Sequence, residues 1–357
     1  MLKRPGYSVY LSNYDQQKCR LSSLCREGSF LFTSLHISEE FDDGYAHRAK
    51  CMCRELAQMG YHIVADVSKK TLAAFGCSDI AAWAKEMGIS ILRLDYGFTL
   101  EEMKEIGKSI PICINASTVT EEELALASDH DIAMYAMHNF YPRPETGLDV
   151  ELFCRLNERL KESGIKILAF VAGDTKLRGP LGEGLPTLEK HRGMSPYGAW
   201  LEMMLKYQVD GVFVGDGIPG ETELALIEAY EKDGILRLPI SFMGGMEERY
   251  QETLCGQPYT IRPDSPRWTK RLKESREYSC AGIHVASENC VERLPGSVTV
   301  DNERYMRYSG EIQIVTEPLP ADSRVNVAAV VPERYRMLLS LLKNGKKVLL
   351  QSDFMLQ

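Results

Sequence analysis

The chain predicts a (β/α)8 barrel followed by a smaller, mostly β domain. β-Rich runs alternate with helical patterns eight times before residue 230, and helical patterns nearly vanish after Asp233-Gly234. A P-loop is absent and no glycine-rich turn follows the first strand, which disfavours the doubly wound open sheet, the nearest competing architecture. At 357 residues with 44% hydrophobic content, the chain can bury a large core and exceeds the usual size of one domain. The expected domains are 1–243 and 244–357, divided where glycines interrupt the pattern at Met243-Gly244-Gly245.

The barrel strands are expected at 7–11, 30–36, 61–67, 90–95, 111–115, 131–137, 166–171 and 211–214. Helices between them carry start and stop signals. Ser78 precedes Ile80, Trp83, Ala84 and Met87, an i, i+3, i+4, i+7 stripe that Gly88 closes. Thr99 with Glu102 and Thr120 with Glu123 have capping-box spacing, and Ser195-Pro196 joins a cap to a proline at the first helical position. In the second domain the runs 257–261, 278–285, 297–300, 311–316, 326–330 and 347–351 are β-rich and broken by Pro, Gly or Asn, and only 333–342 reads as a helix. A small closed β barrel is expected there.

A formal net charge of -8 disfavours nucleic acid or an anionic membrane surface as a general partner, while leaving room for a local basic pocket that holds one phosphate. Lys3 and Arg4 are followed by alternating apolar and polar residues up to Asn13 and Asp15 rather than by a signal core. No run of about 18 apolar residues occurs, so a soluble, cytoplasmic chain is expected. Ten cysteines are too dilute for a disulfide scaffold, and most lie in apolar patterns, as Cys113 and Cys154 do. Cys51 and Cys53 stand two apart, and neither Cys-x-x-Cys nor His-x-x-x-His spacing is present, so neither a metal nor a cofactor is expected.

In such a barrel the chemistry sits at the carboxyl ends of the strands. Alternation puts Arg93 and Asp95 on one face of the fourth strand, opposite Leu92 and Leu94. That face is expected to be the lumen, because strand exteriors meet apolar helices. There the two residues form either a structural ion pair or part of a site. Asp66 ends the neighbouring third strand, and adjacent carboxylates have pKa values pushed apart, as acid and base chemistry requires. Asn115 and His138 end the fifth and sixth strands and extend the rim, while Glu39 and Glu40 follow the second. The loop from His138 to Leu148 adds Asn139, Tyr141 and Arg143.

The longest loop, 173–194, follows the seventh strand and reads as a substrate cover, with a solvated charged loop as the competing reading. Glu183, between Gly182 and Gly184, is its best acid. Lys176, Arg178, His191 and Arg192 make the loop locally basic, and Glu189 lies among them. Phosphates often bind near strands seven and eight of this fold. No lysine ends a strand on this face, since Lys166 begins the seventh, which argues against Schiff-base chemistry. The Gly-x-Ser-x-Gly elbow of serine hydrolases is also missing.

Several motifs together resemble one family, the bacterial 6-phospho-N-acetylmuramidases, long catalogued as uncharacterised or "outer surface" proteins. They are the Tyr10 strand, Val64-Ala65-Asp66-Val67-Ser68, Leu92-Arg93-Leu94-Asp95-Tyr96-Gly97-Phe98, Asn115-Ala116-Ser117, His138-Asn139-Phe140-Tyr141-Pro142, Thr146-Gly147-Leu148 and Glu183-Gly184-Leu185-Pro186-Thr187-Leu188-Glu189-Lys190-His191-Arg192, in order along the barrel. The resemblance implies a TIM barrel followed by a cyclophilin-like β barrel. It also implies an intracellular glycosidase that cleaves the β-1,4 bond between N-acetylmuramic acid 6-phosphate and N-acetylglucosamine, a disaccharide of cell-wall turnover.

Glycoside hydrolysis needs a protonated carboxyl and a second carboxylate. The sequence offers Asp95 as nucleophile or base, Glu183 as acid and Asp66 as the fallback for either role. Arg93, Asn115, His138, Asn139, Tyr141 and Glu189 are expected to bind the sugar, with Arg192, His191 and Lys176, then Arg143, on the phosphate. Retaining, inverting and substrate-assisted mechanisms all remain open. A phosphosugar isomerase or epimerase on the same rim and a non-catalytic sugar-binding protein are the other function classes. The β domain has no catalytic cluster, His284 and Glu288 reading as an ordinary strand end. It would cover the barrel mouth or form a homodimer contact.

Overall fold

The computed structural model describes residues 4–35, 42, 44–127, 131–280 and 284–352. Glu39 and Glu40 lie outside the described residues. The chain divides into two compact units, Met1–Gly220 and Glu221–Gln357. In the first, eight parallel strands close into a barrel in chain order. They are β1 (Gly6–Ser8), β2 (Phe30–Ser34), β3 (His62–Val67), β4 (Ile89–Leu94), β5 (Ile112–Asn115), β6 (Met134–Met137), β7 (Lys166–Val171) and β8 (Gly211–Val214). Each lies within three residues of its expected bounds.

The helices that follow are α1 (Tyr14–Leu24), α2 (Tyr45–Gln58), α3 (Lys69–Ala74), α4 (Ile80–Met87), α5 (Leu100–Gly107), α6 (Glu121–Leu126), α7 (Val150–Glu162) and α8 (Pro196–Leu205). Both expected capping boxes form, Thr99 with Glu102 and Thr120 with Glu123. Ser195 accepts from the Gly198 N–H ahead of α8. The cap of α4 is Asp79 rather than Ser78: one Asp79 oxygen accepts from the N–H groups of Ala81 and Ala82, each at 3.0 Å. Gly88 closes that helix at φ 77°, a left-handed turn suited to glycine.

Inside the barrel, Tyr10, Phe32, Val64, Ile91, Cys113, Met137, Leu168, Phe170 and Phe213 form one buried cluster. It draws on the strands, or the residues directly after them, all the way round, so it must be the lumen core. Its aromatic rings meet edge to face, with Phe32 and Phe170 at 4.9 Å and Phe140 and Phe170 at 5.1 Å between centroids. A step of two residues toward the carboxyl end keeps the same face, which puts Ser34, Asp66, Arg93, Asn115 and Asn139 above this core. Register brings Ser34 beside Asp66 and Asp66 beside Arg93 on adjacent strands. The expectation that Arg93 and Asp95 face the lumen follows from the same parity.

The second unit begins with α9 (Glu221–Asp233), whose buried Glu223 accepts from Arg334 at 2.7 Å and from the Tyr335 hydroxyl at 2.6 Å. Its strands are β9 (Leu236–Phe242), β10 (Tyr259–Thr260), β11 (Thr269–Arg271), β12 (Ser297–Asp301), β13 (Ile312–Val315), β14 (Val325–Val330) and β15 (Lys347–Ser352). They form one sheet in the order β10-β15-β9-β14-β12-β13-β11. The sheet curls until its edges meet: Ile261 bridges Leu272, flanked by Arg262 N–H to Arg271 O and Lys273 N–H to Thr260 O. Because β9 pairs with β15 and β14, the expected boundary at 243/244 falls at the end of a strand of the second sheet.

Two expectations for this unit fail. The run 278–285 is not a strand: α11 (Ser275–Cys280) occupies its first part, and 281–283 lie outside the described residues. Ser275 starts that helix by donating to Leu272 O at 2.6 Å while accepting from the Ile312 N–H at 2.9 Å. Helices are also more frequent than expected, since α10 (Glu247–Cys255) buries Met246, Tyr250 and Leu254 at a spacing of four. Among the described residues no helix is long and apolar enough to cross a membrane.

Replacing Asp79 with Ala should cost about 1 kcal/mol of stability, whereas Ser78→Ala should leave the denaturation midpoint in place. Equal effects of the two changes would refute the assignment of the cap.

Candidate functional site

At the carboxyl end of the lumen, Arg93 is the centre of a charged cluster. Its side chain and that of Asp66 are each 6% exposed, with Nη1 2.7 Å from Asp66 Oδ1. The same Nη1 lies 3.9 Å from Asp95 Oδ1, and Nη2 donates to Asn139 Oδ1 at 2.6 Å. Ser34 adds a long contact of 3.4 Å to the other Asp66 oxygen. Burial opposes the charge on Arg93, but its neighbours, Asp66 foremost, more than offset it and the guanidinium pKa is raised. Asp95, 31% exposed, is the carboxylate of this group open to a ligand. Tyr96 beside it is 80% exposed.

His138 does not join this rim. Met137 points into the lumen, so the next side chain points out, where His138 is fully buried against Phe153 of α7 at 4.7 Å between rings. Its ring nitrogens contact the Ser117 hydroxyl at 3.2 Å and Asn157 Oδ1 at 2.8 Å. Burial depresses its pKa to about 4, so it is a neutral strut between strand and helix. Asn115 is half-buried and turns its Oδ1 back to the Ser117 N–H. Ser117 Oγ in turn accepts from the Asn139 N–H at 3.1 Å.

The basic residues late in the β7 loop serve the protein's own backbone. Arg192 donates Nε and Nη2 to the two oxygens of Glu189 at 2.7 and 2.8 Å, and further bonds reach the carbonyls of Tyr141, Arg143, Glu183 and Gly184. Glu189 also accepts from the N–H groups of Glu145 and Gly147. A Cβ at Gly147 would lie 2.5 Å from the Glu189 carboxylate, which explains the glycine. The Arg192 bonds, with the backbone donors, hold Glu189 down at about 2. His191 is fully buried and pairs with Glu202 at 2.8 Å, away from any surface where phosphate would bind. These contacts clasp the β6 loop to the β7 loop. Tyr141 is half-buried there, while Arg143, Lys176 and Glu183 are exposed.

One residue escaped the sequence reading. Asp216, just after β8, is buried and accepts from the N–H groups of Gly173, Arg178 and Leu185 at 2.8, 2.9 and 3.0 Å, which anchors the first half of the β7 loop. Its signal was legible as Gly215-Asp216-Gly217, an acid between glycines at a strand end. Among the described residues no group of three or more His, Cys, Asp or Glu side chains could hold a metal ion.

Two family models match this arrangement along the chain, 6-phospho-N-acetylmuramidase N-terminal over residues 5–229 and C-terminal over 236–351. The chain belongs to the 6-phospho-N-acetylmuramidase family. The family name itself describes a glycoside hydrolase. A conserved protein of unknown function from Enterococcus faecalis is similar in structure, with 33% identity over 99% of this chain and 97% of that one and a TM-score of 0.84. An uncharacterized B. cereus protein shares the fold at 23% identity, covering 98% of this chain and 100% of its own, with a TM-score of 0.75. No curated protein matches the chain.

The neutral His138 gives this family member a measurable signature. Its folded pKa of about 4 lies below the usual 6.5, so between those values the unfolded chain binds a proton that the folded chain refuses. Stability therefore falls as pH drops through that window, by roughly 2 kcal/mol at about pH 5. His138→Gln, which retains a donor and an acceptor, should lose correspondingly less between about pH 7 and pH 5 in denaturant titrations. The same loss in both proteins would mean the ring is not a buried neutral strut.

Proposed function

We propose that the barrel hydrolyses the β-1,4 bond between N-acetylmuramic acid 6-phosphate and N-acetylglucosamine, as a cytoplasmic step of cell-wall recycling. One observation carries the catalytic part of this reading: an accessible carboxylate, Asp95, stands beside a buried guanidinium that Asp66 already neutralises. Cleaving a glycosidic bond passes through an oxocarbenium-like state, which a fixed anion stabilises. Asp95 takes the part of nucleophile or base. Arg93 stands 3.9 Å from it, and Asp66 orients Arg93.

Asp66 is a poor proton donor, because the buried Arg93 requires its negative charge. The acid is assigned to Glu183. It is exposed on the β7 loop, and its carbonyl is fixed by Arg192, so its backbone is placed while its side chain is free to reach a leaving oxygen. Asn139, held by Arg93, and Tyr141, two residues further along the β6 loop, are assigned to the sugar.

The reading is tested by incubating the protein with phosphorylated and plain disaccharides and weighing the products. Hydrolysis adds one water across two monosaccharides, whereas an isomerase and a binding protein both leave the disaccharide mass unchanged. Asp95→Asn should lower turnover by about a thousandfold with an unchanged melting temperature. Near-normal turnover would sink the role of Asp95. Asp66→Asn is less informative, since stranding Arg93 in the lumen should cost about 3–5 kcal/mol.

A further inference from the structure

The chain carries a net charge of -8, yet one cavity of the barrel unit gathers three cations. It measures about 410 Å³ and opens between the start of α1 and the loops after β1, β7 and β8. Arg20, one turn and a half into α1, donates to the Pro219 carbonyl at 3.4 Å. Lys176 Nζ donates to Gln16 Oε1 at 2.5 Å. The Arg178 guanidinium carbon sits 3.9 Å from the centre of the Tyr10 ring. Among the described residues, none of the three is ion-paired with a carboxylate. Asp216 also lies on the wall, but both its oxygens are taken by backbone N–H groups.

The entrance of α1 adds to this field. Asn13 precedes the helix and lines the cavity, but its side chain accepts from the Tyr10 N–H and gives no cap to the helix. The first-turn N–H groups of an 11-residue helix thus lack a side-chain cap beside three cations. Tyr10 joins the cavity to the lumen: its ring lies under Arg178, its hydroxyl donates to Gly215 O, and it feels the charges of Arg178, Asp216 and Asp66. Tyr10 thus belongs to the lumen core while a guanidinium of the cavity wall lies on its ring.

We propose that this cavity is the subsite for a phosphate monoester, with Arg20, Lys176 and Arg178 as its cationic contacts. The assignment rests on the reading above that the substrate is a phosphorylated sugar. A phosphate monoester carries about -1.5 to -2 charge at neutral pH, which three cations and a helix entrance can match. The volume suits a phosphate with part of its sugar. Phosphate thus falls to Lys176, as the sequence suggested, but with Arg20 and Arg178 in place of Arg192 and His191.

The test combines kinetics with direct binding in the full-length protein. Inorganic phosphate is titrated into wild type, into the double variant Arg20→Gln/Lys176→Gln, and into Gln16→Glu, which brings a carboxylate to Lys176 at an exposed position. In both variants phosphate affinity should fall about tenfold or more, and KM for the phosphorylated disaccharide should rise by a similar factor while kcat stays within about threefold. The preference for phosphorylated over plain disaccharide should shrink with it. Affinities and KM within about twofold of wild type, in a protein that still cleaves, would overturn the subsite and leave the hydrolase reading intact. Phosphate binding that both variants lose, in a protein that cleaves neither disaccharide, would support the subsite and overturn the hydrolase. No phosphate binding by wild type would overturn the subsite outright.

Discussion

A guanidinium inside the barrel is the constraint that organises this molecule. Arg93 cannot shed its proton at any accessible pH, so its burial obliges the surrounding strands to supply acceptors at one height. β3 supplies Asp66, the end of β4 supplies Asp95, and Asn139 follows β6. Remove Asp66 and the charge is stranded. With Asp66 in place, the same guanidinium faces Asp95, the accessible member. The setting of that carboxylate thus derives from one buried cation.

The floor beneath the cluster matters as much as its walls. Phe32, Phe170 and Phe213 fill the lumen with Tyr10, and Phe140 closes against them from the β6 loop. Such a dry layer excludes water from below, which strengthens every electrostatic contact above it. The same packing explains why the barrel is a solid core with one active end rather than a pore.

Much of this was legible in the sequence because it follows from period-two alternation. The eight barrel strands, the lumen-facing pair Arg93 and Asp95 and most helix caps are local properties. His138 departs from the expected rim by the same rule, since the residue after an inward Met137 must point outward. Other errors came from partners distant in sequence. Nothing local says that Arg192 would bond the Tyr141 carbonyl or that His191 would meet Glu202 beneath the loop. The second unit was harder to read, since its helices are short and β9 includes Pro239, a residue that rarely signals an inner strand. That strand tolerates it where β14 pairs only with Ser241 and Phe242, beyond the proline.

The clasp between Glu189 and Arg192 has a thermodynamic consequence for recognition. Long loops normally lose conformational entropy when a ligand arrives, at about 0.5–1.5 kcal/mol for each mobile side chain that is frozen. Here one arginine holds four backbone carbonyls and one carboxylate drawn from two loops, and Asp216 fixes the β7 loop at two further points. The ordering penalty for that side of the mouth is met during folding. A ligand contact made there would register as affinity and selectivity instead of being consumed in arranging the loops.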